Sequence, residues 1–163
     1  MRSSALKLLL VLGLFQAPQP DAATMRARVE LQLDQVKSVA FSYQTLPASK
    51  LGEKPPQVGP DEANWRLYAI AFGGELETRV RLKVGEQVLE PGKYGFYIQP
   101  RAEGGMRLML LDGPKSRPIE LELSRSSIEH RYLTLALAPT DLATFELTVA
   151  WGKDVGRARF WTP

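Results

Sequence analysis

Leu89 to Pro100 reads LEPGKYGFYIQP, and this stretch decides the fold class. Pro91 presets the φ that the first central position of a β-turn requires, and Gly92 is able to supply the positive φ of a type II turn at the second. The chain is therefore expected to reverse here and to leave on a strand. Tyr94, Phe96 and Ile98 alternate with Gly95, Tyr97 and Gln99, so three large side chains share one face. A turn followed by a tyrosine whose ring packs inward and whose hydroxyl meets a nearby backbone group is a frequent corner of β-sandwiches.

The same period of two runs outward in both directions. Met25, Ala27, Val29, Leu31 and Leu33 alternate with Arg26, Arg28, Glu30 and Gln32, which predicts a strand with one wet face; Val39, Phe41 and Tyr43 continue it on a second strand. Trp65 to Phe72 is apolar enough for a strand buried on both faces, and Leu76 to Val84 returns to alternation, with Gly73 and Gly74 expected to turn between them. Further strands are expected at Gly92–Gln99, Met106–Leu111, Pro118–Leu123, Tyr132–Ala138, Phe145–Trp151 and Val155–Trp161. Gly104-Gly105, Asp112-Gly113-Pro114, Pro139–Asp141 and Gly152–Asp154 punctuate them. Turn signals about every 10 residues are the signature of an antiparallel sandwich or barrel, and of the two a single all-β sandwich is the fold expected here. At most one helical turn, around Thr140, is expected after the N-terminal segment.

That segment differs in kind. Arg2 and Lys7 precede an unbroken apolar run from Leu8 to Phe15, too short to span a membrane but right for the centre of a secretory signal. Residues 1–23 are read as a signal peptide and residues 24–163 as a single sandwich domain, so the protein is expected in the periplasm or outside the cell. The 163 residues contain no cysteine, which excludes disulfides, thiol catalysis and thiolate metal sites together. Beyond the leader 19 basic and 17 acidic residues remain, and no basic stripe of the kind nucleic acid demands is present.

No nucleophile, base and oxyanion donor assemble at a recognisable spacing, so no catalytic residue is assigned. His130 is the only histidine; its neighbour Glu129 would point to the opposite side of an extended chain, which places both in a solvated segment between strands. Ser124, Ser126 and Ser127 lack a nucleophile elbow and read as surface residues. No metal and no cofactor are expected. Leu46–Ala63, rich in Pro and Gly, is the longest loop and the first place to look for a site. Asp61 and Glu62 in it, with Trp65 and Arg66 just after, are the binding candidates: an Arg opposite a Trp suits a buried ion pair or a carboxylate-bearing ligand. Pro91, Gly92, Tyr94, Phe96 and Trp151 are assigned to turn and core, and Trp161 to the close of a sheet.

Three strings in order, Trp65-Arg66, VLEPGKYGFYIQP at Val88–Pro100 and FELTVAWGKDVGRARF at Phe145–Phe160, resemble a bacterial exported family catalogued as domain of unknown function 2911. Leu67, Tyr68 and Ala69 stand where that family often carries Gly-Ala-Asn. The resemblance implies an exported β-rich fold and no reaction. Leu89-x-Pro91-Gly92-x-Tyr94 is also similar to transthyretin-like surface modules. Together these readings imply a non-enzymatic binding or structural module of the cell envelope, its partner an envelope protein or a small molecule. The alternatives are a hydrolase using a carboxylate pair among Asp61, Glu62, Glu77 and Glu90, or a subunit joined to an envelope assembly through a strand edge.

Overall fold

The computed structural model describes residues 25–48, 73–101, 104–113 and 115–163. Among them are ten strands: β1 (Arg26–Gln32), β2 (Ser38–Gln44), β3 (Gly73–Thr78), β4 (Leu82–Val84), β5 (Gln87–Leu89), β6 (Gly92–Pro100), β7 (Met106–Asp112), β8 (Lys115–Ile119), β9 (Glu122–Asp141) and β10 (Thr144–Trp161). They build two antiparallel sheets, ordered β1-β2-β3-β6-β7-β8 and β5-β4-β10-β9. The expected all-β sandwich is the observed architecture. The expected leader and the Trp65–Phe72 strand lie outside the described residues.

Four phenylalanines join the layers. Phe41 on β2 meets Phe96 on β6 edge-on at 5.3 Å and reaches across to Phe160 on β10 at 6.3 Å, while Phe160 stacks on Phe145 at 5.1 Å with the rings 4° from parallel. All four are buried, as is Trp151. Edge-on and stacked aromatic pairs each add about 0.5–1.5 kcal/mol beyond the area they bury.

The Phe145–Phe160 stack also reveals the path of β10. Fifteen residues of straight strand would span about 50 Å at roughly 3.3 Å each, so the run doubles back between its two phenylalanines. Gly152, at a φ of 62°, marks the reversal; Thr162 N–H donates to Ala143 C=O at 2.8 Å, and Arg157 pairs with Glu146 at 3.5 Å. β9 follows: Glu122–Arg125 pairs with the returning limb, and the residues from His130 onward with the outgoing one. The expected segments Phe145–Trp151 and Val155–Trp161 are these two limbs. The predicted break at Pro139–Asp141 moves to Leu142–Ala143, where Asp141 accepts the Ala143 N–H at 3.0 Å and no helical turn forms. The expected strand Pro118–Leu123 is interrupted at Glu120–Leu121, between β8 and β9.

Two further expectations change. Leu76–Val84 is not one strand: β3 belongs to the larger sheet and β4 to the smaller. Buried Thr78 makes the corner, its hydroxyl donating to Val80 C=O at 2.7 Å and accepting the Val80 N–H at 3.2 Å. Leu76 and Thr78 before the corner and Leu82 and Val84 after it all face inward, so the alternation survives the change of sheet. Gly92, in turn, is not among the glycines at positive φ, which in the described residues are Gly85, Gly104, Gly105, Gly113 and Gly152. Glu90 and Pro91 pass the chain from β5 in the smaller sheet to β6 in the larger instead of closing a type II hairpin. Tyr94 behaves as a corner tyrosine all the same: half-buried against the core, it donates from its hydroxyl to Glu90 C=O at 2.8 Å.

Gly73 and Gly74 open β3 and make no turn. Gly74 lies opposite Phe96, and a Cβ there would stand 2.2 Å from Ser42 O and 2.8 Å from the Phe96 ring. Gly74→Ala is expected to cost about 1–3 kcal/mol through overpacking. Gly92→Ala meets nothing nearer than 3.9 Å and should stay within about 0.5 kcal/mol of the parent, as exposed substitutions usually do. Urea unfolding of the two variants checks both, and equal midpoints would refute the close approach at Gly74.

Candidate functional site

Asp61, Glu62, Trp65 and Arg66, the binding candidates from sequence, lie outside the described residues, as does the loop beyond Ala48. Its first residues have a structural task. Leu46 is buried, its carbonyl accepts the Leu133 N–H at 2.8 Å, and Pro47 bridges Tyr132. Together with the Tyr43 hydroxyl, which accepts the Leu135 N–H at 3.0 Å, they cap the outer edge of β9. Across the molecule Gln87 of β5 donates to Pro118 C=O of β8 at 2.7 Å, so both seams of the sandwich are stitched.

Glu77 and Glu90, the other two candidate carboxylates, do not converge. Glu77 faces Arg28 at 3.6 Å, whereas Glu90 is held by Arg81 at 2.8 Å. Glu77 belongs to a charge ladder on the outer face of the larger sheet, where Arg28 also pairs with Glu30 at 3.3 Å and Lys93 pairs with Glu75 at 2.9 Å. The hydrogen bond to Glu75, with its negative charge, holds the Lys93 ammonium above its ordinary value. Beside the ladder the β2–β3 pairing ends at Tyr43 and Gly74. The opening leaves a depression of about 440 Å³ lined, among the described residues, by Arg26, Ser42, Gln44, Gly73, Gly74 and Glu75. Arg26 has no ion-pair partner among the described residues.

His130 and Glu129 fall within β9 where the ribbon doubles back; Ser126 to Glu129 span the interval opposite Lys153 alone. Ser126 accepts the Ile128 N–H at 3.0 Å, and Ser124 accepts from Arg157 at 3.4 Å, which ties two of the three serines to local structure. No group of three or more His, Asp or Glu is placed to hold a metal among the described residues, and none of their helices is long and apolar enough to cross a membrane. Of the structural candidates, Phe96 and Trp151 are fully buried, Pro91 and Gly92 form the crossover, and Trp161 ends β10 opposite Lys83.

A second constellation escapes sequence reading. At the end of the sandwich where β10 terminates, Lys37 of the β1–β2 turn and Arg79 and Arg81 of the β3–β4 corner line one depression of about 370 Å³ with Asp34 and Leu142. Some forty residues separate Lys37 from Arg79, so only the fold joins them. Asp34 organises the turn, accepting the Val36 and Lys37 N–H groups at 2.8 Å each. Those bonds, the one from Val36 foremost, hold its carboxyl below the usual range.

Scans of protein-family models, of curated proteins and of solved structures return no match to this chain.

Two expectations follow from this geometry. Tyr43→Phe orphans the buried Leu135 N–H and should cost about 1–3 kcal/mol, with faster exchange at the Leu135 amide; unchanged exchange would show that another acceptor takes over. The Asp34 turn is favoured by a lowered carboxyl pKa, so its contribution is present above the unfolded value and lost as pH falls through the folded one. A carbon-detected titration should place Asp34 below a free aspartate, and Asp34→Asn should flatten the acid limb of stability.

Proposed function

We propose that this chain is an exported sandwich that acts as a non-enzymatic binding or structural module of the cell envelope, with the outer face of the larger sheet as its contact surface. The observation that carries the reading is the pairing of the carboxylates on and beside that face with cations: Glu30 and Glu77 with Arg28, Glu75 with Lys93, Glu90 with Arg81 and Asp112 with Arg117. Each of these carboxylates is held by a neighbouring cation, whereas an acid–base pair needs two carboxyls turned towards one substrate. A flat, charged sheet face suits recognition of a polar surface. The basic and apolar leader supports export. The three ordered strings that resemble the exported family are in keeping with this reading.

At the edges of the smaller sheet this reading is favoured over assembly by strand addition. The Leu133 N–H and Leu135 N–H are already bonded, Pro139 offers no donor, and β5 is three residues long. The parent chain is expected in the exported fraction of its host and, by light scattering, as a monomer. When immobilised, it should retain an envelope component that the Arg28→Glu, Lys93→Glu double variant loses. Confinement to the cytoplasm would overturn the export reading. Turnover of a glycoside or ester that vanishes in Glu75→Gln or Glu77→Gln would overturn the non-enzymatic one.

A further inference from the structure

The end of the sandwich around Lys37, Arg79 and Arg81 brings cations and exposed apolar side chains together. Three cations and one acidic side chain, Asp34, line its depression. Lys37 leans on Asp34 at 3.6 Å and Arg81 on Glu90 at 2.8 Å, but all four side chains are about half exposed. Exposed pairs of this kind exchange partners at little cost. Arg79 has no ion pair among the described residues. Flanking the cations, two turn residues hold large apolar side chains in open solvent: Leu142, fully exposed at the β9–β10 turn, and Val36, 70% exposed at the β1–β2 turn. Turn formation asks for neither. The Asp34 cap works through backbone N–H groups, and the Asp141 cap likewise uses the Ala143 N–H.

Protruding apolar tips around a cluster of cations match the layered chemistry of a membrane surface, with phosphate at the depth of the cations and acyl chain just beyond it. The buried centre of a protein–protein contact is instead depleted in charge. We propose that this end of the molecule docks on an anionic phospholipid surface, with Arg79, Lys37 and Arg81 against headgroup phosphate and Leu142 and Val36 entering the boundary of the acyl region. The orientation stands the sandwich upright and leaves the charged face of the larger sheet open, so the two surfaces work independently. This inference shares only export with the function proposed above.

Vesicle co-sedimentation of the protein, purified in the form the cell exports, tests it. Vesicles rich in phosphatidylglycerol should bind it, vesicles of phosphatidylcholine alone should bind it at least tenfold less, and binding should weaken as salt rises. At roughly 1 kcal/mol per cation near an anionic surface, Arg79→Glu should reduce partitioning about tenfold or more. Leu142→Asp and Val36→Asp should each reduce it severalfold with parental melting curves, since both positions are exposed. Equal partitioning of parent, Arg79→Glu and Leu142→Asp would overturn the proposal, as would saturable binding of inorganic phosphate by a chain that ignores vesicles. Neither result touches the sheet-face reading, and loss of envelope capture by the Arg28→Glu, Lys93→Glu variant leaves vesicle binding intact.

Discussion

Four aromatic rings hold this molecule in register. Phe96 and Phe41 belong to the larger sheet and Phe160 and Phe145 to the smaller, and their edge-on and stacked contacts run unbroken from one layer to the other. Each ring imposes a condition on its surroundings. Phe96 requires a glycine opposite it, at Gly74. Phe145 and Phe160 share one hydrogen-bonded run, so their stacking requires that run to fold in two. The aliphatic side chains around the column specify spacing less sharply than rings fixed in angle as well as distance.

The corners serve the column. Thr78 and Pro91 are the two places where the chain leaves one sheet for the other between β3 and β6, and both work without a left-handed residue. At the first, a threonine hydroxyl takes up both backbone groups of Val80; at the second, proline fixes the path and Tyr94 ties its hydroxyl back to Glu90. β4 and β5 thereby become a short hairpin laid under the column, delivering Leu82, Val84 and Leu89 to the core.

Much of this was legible in the sequence, and the parts that were not have physical causes. Alternation marks which residues face inward, and Phe96, Trp151, Phe41 and Leu76 are where it places them. It does not mark which sheet they belong to. At Thr78 the inward parity is conserved through the corner, so Leu76–Val84 looks like one strand however it is scanned. Gly92 has the composition of a type II turn but none of its geometry, because a crossover between layers needs proline's φ and not a reversal. Gly73-Gly74 has the opposite reading: glycine is there for a neighbour's ring. The charged depression at the end of the sandwich had no sequence signal, since Lys37, Arg79 and Arg81 are unremarkable exposed residues until Thr78 turns the chain. The carboxylate pair sought among Glu77 and Glu90 dissolves for a related reason, each having a local cation at the right register.

The doubled β9–β10 ribbon has one more implication. Glu122–Trp161 pairs along its length as one ribbon, whereas β2 and β3 meet across the long segment between Gln44 and Gly73. The ribbon can zip from its two-residue turn at Leu142–Ala143 without waiting for β2 to find β3, so the part of the molecule that holds Phe145 against Phe160 is able to form on its own schedule.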